Sequence, residues 1–457
     1  MTGDGAATGI KDPDNHMKYM MKGSRSMLFA AGMIAFLAVS ASAGAQQAPS
    51  ASGTIALEEA IQRALVKSPA MAQSESAVEN AETGKLTAFG AFLPSLSASS
   101  GASLRSADRF DPATDRIVTG SADSSNAGLS AGLDLFNGGR QFADFSRSKA
   151  DLSAAEARRD DQRFQVTLTT KRLYFTALRQ GELLEVANAR LAQAQESMDM
   201  TRRQAQVGMA TKSDTLRSRL EWVNARQAVL TAETTAQSAR FALARQVGLA
   251  EPVTPVVPAG LDPSPLPMTD GEILATAEAS APSVRAAVAS TGAANAAYSA
   301  AKTSYLPTLR LTSGYSWANQ DASFSGGSKS WSFGLSGSYP IFNGFQREAT
   351  VARADQTRRV TSLQEDDARL AARQNADGAL RALHTATMAI EIAQEAVGLA
   401  EEDLRAVRER YRVGVATVLD VVTSQIALDQ ARVNLVGARY DYVTARAQLE
   451  AVIGKEL

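Results

Sequence analysis

Apolar and small polar residues alternate along two parts of the chain. In the first, Leu96, Ala98, Ala102 and Leu104 interleave with Ser95, Ser97, Ser99, Gly101 and Ser103. Beyond a charged loop over 105–125, Ala127, Leu129, Ala131, Leu133 and Leu135 interleave with Asn126, Gly128, Ser130, Gly132 and Asp134. In the second part, Leu309, Leu311, Tyr315 and Trp317 alternate with Thr308, Arg310, Thr312, Gly314 and Ser316. After a Ser/Gly-rich loop over 318–330, Trp331, Phe333, Leu335, Tyr339 and Ile341 alternate with Ser332, Gly334, Ser336, Ser338 and Pro340. A period of two sends the sets to opposite faces, so each part predicts a pair of antiparallel strands of about ten residues.

The period is helical elsewhere. A short amphipathic helix is expected over 54–67 and another over 270–279, each followed by a helix, 69–92 or 282–305, that a Leu-Pro pair closes. Past the strands, 140–206 holds no proline and one glycine, and strong helix formers dominate it. Its counterpart is 346–412. Each long stretch ends in a glycine hairpin, Val207-Gly208-Met209-Ala210-Thr211 or Val413-Gly414-Val415-Ala416-Thr417, and a return helix follows over 212–247 or 418–453. Gly208 and Gly414 lie 206 positions apart, as do Phe136 and Phe342, Asp214 and Asp420, and Gly248 and Gly454. A constant offset over so many landmarks marks a duplicated unit. The division expected is a leader over 1–45, a first repeat over 46–248, a Pro-rich link over 249–269 and a second repeat over 270–457.

Length then constrains the packing. A 67-residue helix extends roughly 100 Å, whereas the return helix covers only about 54 Å. The helix before the strands supplies about 35 Å more. Stacked end to end, the two short helices match the long one, with the strands at one end of a rod and the glycine hairpins at the other. A soluble sandwich would bury the apolar strand face in a core. Here the helices leave the strands lengthwise, and nothing else is available to cover that face. A membrane barrel accounts for it, with lipid outside, small polar residues towards an aqueous lumen, and Tyr315, Trp317, Trp331 and Tyr339 as interface aromatics. Four strands cannot enclose a channel, and an open edge cannot sit in hydrocarbon, so several copies must share one barrel.

Composition removes most chemistry. The 457 residues carry a net charge of −1, which gives nucleic acid no electrostatic footprint. With no cysteine there is no disulfide, thiolate metal site or acylated lipoprotein anchor. No nucleophile–base set, phosphate loop or metal cluster stands out, so neither an enzyme nor a bound cofactor is expected. The N-terminus reads as a secretory signal: Lys18, Lys22 and Arg25 precede the apolar run 27–39, and Ala43-Gly44-Ala45 offers a cleavage site. The polar stretch before it places the true start at Met17, Met20 or Met21. No later stretch has the roughly 20 apolar residues of a spanning helix.

The signal, the duplicated half, Leu-Pro before each strand pair, Phe-Asn-Gly after it and the Val-Gly-x-Ala-Thr hairpins together resemble the TolC family, over about 54–454. The resemblance implies a homotrimer in the outer membrane of a Gram-negative bacterium. Its fold would be mainly α with a membrane β-barrel portion: four strands per chain in a shared 12-stranded barrel, above a long α-helical barrel that crosses the periplasm. The short helices and the Pro-rich link would form an equatorial belt. The resemblance further implies export of drugs or other small molecules, with a periplasmic adaptor and an inner-membrane pump as partners. The hairpins Val207, Gly208, Ala210, Thr211 and Val413, Gly414, Ala416, Thr417 would dock the adaptor, and Tyr411, Asp214 and Asp420 match the family's periplasmic gate. The gate's arginine position holds Ala416 and its second aspartate position holds Thr423, so the gate is thinned here. The aspartates also have capping-box spacing from Thr211 and Thr417, so each can cap a helix as well as gate. Other readings are an exit duct for secreted proteins and a coiled-coil rod without a pore.

Overall fold

In a computed structural model of the chain, residues 53–457 are described except 105, 112, 114, 122, 123, 259, 260 and 320–324. The expected leader, its cleavage site and the alternative starts lie outside the described residues. A two-residue strand, β1 (Thr54–Ile55), precedes α1 (Leu57–Lys67) and α2 (Pro69–Gly90). Strands β2 (Ser95–Ser103), β3 (Ser106–Asp111), β4 (Arg116–Ser121) and β5 (Ser124–Asn137) follow, then α3 (Arg140–Gln206) and α4 (Lys212–Gln246). The second half runs β6 (Thr254–Pro255), α5 (Asp270–Ser280), α6 (Pro282–Lys302), a single 3-10 turn, β7 (Thr308–Asn319), β8 (Ser328–Ser338), α7 (Gln346–Arg412) and α8 (Val418–Ile453).

Two segments differ from expectation. The stretch read as a loop over 105–125 carries the β3–β4 hairpin, paired from Ser106↔Ser121 to Asp111↔Arg116. Ile117, Val118 and Thr119 are strand-favouring residues whose signal is obscured by the charged residues around them. Thr54 and Ile55, expected to start a helix, instead pair in parallel with Thr254 and Pro255.

The four long strands form one antiparallel sheet in the order β2-β5-β7-β8. Its register aligns the apolar sets across the strands: Ala98↔Leu129↔Tyr315↔Trp331 in one row and Leu96↔Ala131↔Ser313↔Phe333 in the next. The opposite face carries Ser97↔Ser130↔Gly314↔Ser332 and Ser95↔Gly132↔Thr312↔Gly334. Apolar residues of the outer strands stay in the open, with Leu96 75% and Trp331 80% exposed. The two edges are β2 and β8.

Away from the sheet, α3 packs along α4, α6, α2 and α8, and α7 packs along α8 and α6, so α6 and α8 each touch both long helices. The shorter helices meet end to end at a glycine in the left-handed conformation. Gly248 (φ +75°) follows α4 and abuts Lys67, the last residue of α1 two positions before α2 opens, and a Cβ there would lie 2.9 Å from the lysine Cβ. Gly454 (φ +69°) follows α8 and abuts the ring of Pro282, which opens α6. Near these joints lies the main core, where Tyr174, Leu243, Ile273, Leu380, Leu449 and Ile453 pack together. The Tyr174 hydroxyl donates to the carbonyls of Ile55 (3.0 Å) and Val256 (2.5 Å), which ties the β1–β6 pair and the Pro-rich link to α3. Burial pushes that phenol up, and the Val256 bond opposes it.

Candidate functional site

Helix-end chemistry accounts for the shape of both hairpins. In the first, Gly208 (φ +78°) follows α3, and the Met209 N–H reaches back to the Gln204 carbonyl at 2.8 Å. In the second, Gly414 (φ +80°) follows α7, and the Val415 N–H bonds the Arg410 carbonyl at 2.9 Å. A left-handed glycine with this back-bond satisfies carbonyls that a helix end leaves free. Nothing lies within 4 Å of where a Cβ would stand on either glycine, so conformation rather than crowding requires them. Val207, Met209, Val413 and Val415 are all exposed, which gives the two turns four apolar side chains facing solvent.

The return helices start with complete capping boxes. The Asp214 N–H donates to Thr211 Oγ1 at 3.2 Å, while Asp214 Oδ2 accepts from the Thr211 N–H (3.0 Å) and hydroxyl (2.7 Å). Thr417 and Asp420 repeat this with distances of 2.7 and 2.8 Å to Asp420 Oδ2. The Thr211 hydroxyl and N–H hold the Asp214 carboxyl below its ordinary value, and the Thr417 N–H and hydroxyl do the same for Asp420.

The three gate candidates are not grouped alike. Tyr411, half-buried on α7, donates to Gln204 Oε1 on α3 at 2.5 Å. Burial raises its phenol, the Thr201 hydroxyl opposes that, and the charge of Asp214 raises it further. Tyr411 and Asp214, from different repeats, therefore interact within one chain. Asp420 is exposed and is bonded to its own cap, with Arg410 as its charged neighbour.

Farther from the turns lies a polar cluster that no local motif announces. Arg190 on α3 binds Glu221 Oε1 on α4 at 2.7 Å and meets Asp429 Oδ2 on α8 at 3.4 Å. Gln425 on α8 contacts Gln193 on α3 and bonds Asp429 at 3.3 Å, and Arg408 on α7 donates to Gln425 at 3.0 Å. Burial pushes the Asp429 carboxyl up, with the Gln425 bond and nearby arginines opposing it. The cluster pins the α3–α4 hairpin to the α7–α8 hairpin. Its members are spread over some 240 positions on separate helix faces, so sequence spacing carries no trace of it.

At the other end, Tyr315 pairs with Trp331, and Trp317 donates to the Gly326 carbonyl at 2.7 Å, all near the loops of the sheet. Tyr339 lies just past β8, towards the helices, so the four aromatics mark both ends of the exposed apolar face. Among the described residues no helix is long and apolar enough to cross a membrane, and no group of three or more His, Cys, Asp or Glu is placed to hold a metal ion.

Comparison with known proteins draws these features together. The family described as "Outer membrane efflux protein" matches residues 60–249 and 273–455, two blocks that flank the Pro-rich link. Protein CyaE of Bordetella pertussis is 31% identical over 385 residues, covering 81% of this chain and 78% of that protein. The probable efflux pump outer membrane protein TtgC of Pseudomonas putida is 26% identical over 345 residues, covering 72% and 69%. The solved CmeC outer membrane channel of Campylobacter jejuni superposes with a TM-score of 0.74 at 18% identity, over 87% of this chain and 85% of that one, a likeness of fold.

Proposed function

Because the chain belongs to the outer membrane efflux protein family, we propose that it is the exit duct of a tripartite pump. In this reading three copies form a channel through the outer membrane and a tunnel across the periplasm, through which small molecules leave. Relatives described as efflux pump outer membrane proteins support the cargo class. The observation that carries the pore is the sheet: its apolar face is bare, and its strands alternate in direction from β2 to β8. The last strand of one copy can therefore meet the first strand of the next antiparallel, as a closed barrel requires. Two copies would give eight strands, whose interior side chains fill; three are the fewest that leave a lumen.

The internal repeat gives the joint between copies. Leu93-Pro94 and Leu306-Pro307 are 213 positions apart, and Phe136 and Phe342 are 206 apart. Applying these offsets to the β5–β7 pairs turns Leu129↔Tyr315 into Leu335↔Ala102 of the next copy. Another asymmetry fits the same operation. Gly138 is wedged against Thr303 and Leu306, whereas its counterpart Gly344 faces open space. Under the offsets that space receives Gly90 and Leu93 of the neighbour. Along the tunnel, Leu216, Leu220, Val223 and Leu230 on α4, and Leu419, Ile426 and Val433 on α8, form exposed stripes at heptad spacing suited to a neighbouring coil.

At the far end the exposed turns around Gly208 and Gly414 offer the docking surface for a periplasmic adaptor, while Tyr411, Asp214 and Asp420 line the aperture. Purified trimers in a planar bilayer should pass single-channel currents; a chain that inserts without conducting would be a structural rod. Gly414→Pro, which cannot adopt φ +80°, should abolish efflux and adaptor co-purification while leaving trimers in the membrane. Normal drug resistance in that variant would sink the docking assignment.

A further inference from the structure

Among the described residues of β2, β5, β7 and β8, the polar face of the sheet is Ser, Gly, Thr, Asn and one Ala, with two exceptions. Asp134 and Arg310 stand directly opposite each other in the β5–β7 register, and their side chains pair at 3.2 Å. The pair sits beside the bulge between Asp134 and Phe136, where the sheet gives way to α3. Gly132, one row away, leaves room for the guanidinium: a Cβ there would lie 2.9 Å from Arg310 Nη2. The pair opens onto a 580 Å³ cavity also lined by Arg140, Asp144, Asn343 and Arg347. Arg140 is matched by Asp144 at 3.2 Å. Arg347 bonds the carbonyls of Pro340 (2.9 Å) and Ile341 (3.2 Å) and lies over the Tyr305 ring, with no carboxylate partner among the described residues. Three arginines thus face two aspartates.

We propose that Asp134, Arg310, Arg140 and Arg347 form a charged girdle in the lumen, at the junction of strands and long helices, that favours anionic solutes. The proposal rests on reading the chain as a pore. The repeat fixes its multiplicity, for the offsets place Pro340 and Ser97 where Asp134 and Arg310 would recur at the joint between copies. A trimer therefore carries three Asp134–Arg310 pairs, each between two repeats of one chain, on a strand face that is otherwise uncharged among the described residues of β2, β5, β7 and β8. Its net sign is opposite to that of an Asp420 ring at the tip, so the two ends of the duct discriminate charge separately. The reach of the girdle is about 30 Å at 0.01 M salt and about 8 Å at physiological strength, so low salt exposes it.

The test uses reversal potentials of full-length trimers in bilayers, under a KCl gradient at low salt. An Asp420→Asn parent keeps the tip from masking the junction. Asp134→Asn, nearly isosteric, should shift the permeability ratio towards chloride by roughly twofold or more, and Arg310→Gln should shift it as far towards potassium. The double variant should return close to the parent, and Arg310→Lys should keep the parent's ratio. A conducting parent whose selectivity ignores both single substitutions overturns the girdle alone. A correctly assembled parent that passes no current overturns the pore reading and the girdle with it.

Discussion

At the scale of single residues, capping and gating separate by experiment. Thr417→Ala removes a cap worth about 1 kcal/mol and should lower hydrogen-exchange protection at the start of α8 without changing conductance. Asp420→Asn removes the charge, and if Asp420 lines the aperture it changes conductance and ion selectivity; unchanged currents would leave Asp420 as a cap only. Because both capping carboxyls are held below the ordinary aspartate range, their contribution is complete at neutral pH. It is lost only as pH falls through the lowered folded values. Exchange protection of the two tips should therefore be level from neutral to mildly acidic pH and decline below the usual aspartate range; a decline near pH 6 would contradict this. Glycines divide in a similar way. Gly414→Ala meets strain of about 1–2 kcal/mol with free space around it, whereas Gly454→Ala adds a collision with the Pro282 ring and should lower the melting temperature further. The capping boxes are readable because all their atoms lie within three residues. The Tyr411–Gln204 bond joins positions 207 apart and only the folded chain reveals it.

At the scale of elements, the strand register at the joint between copies can be read by cross-linking. The chain has no cysteine, so Leu335→Cys with Ala102→Cys provides one thiol on each side of the joint between copies. Residues directly opposite have Cβ atoms about 4.5–5.5 Å apart, and a short thiol-reactive cross-linker should give a covalent trimer on denaturing gels. Leu335→Cys with Leu104→Cys, two positions out of register, should react much less; equal yields would refute the register. Both long helices could be delimited from sequence, since Gly208 and Gly414 end unbroken runs of helix formers. The β3–β4 hairpin could not, because alternation there is broken by charged residues that need no buried face. The sheet order also lay beyond the sequence, as pairing β5 with β7 joins strands from different repeats.

At the scale of the whole molecule, one chain is an incomplete object whose exposed apolar surfaces are the record of its neighbours. Leu220→Glu with Leu230→Glu places charges on the α4 stripe and should yield folded chains that fail to trimerise, as read by sedimentation and circular dichroism. Trimers of normal mass would remove that stripe from the interface. The butt joints at Gly248 and Gly454 have a mechanical consequence. The long helices run unbroken from tip to barrel and act as struts, but their companions are each cut in two, with no peptide bond across the cut. Torsion imposed on a return helix at the tip crosses its joint to the stacked helix through packing alone, so each joint works as a slip coupling.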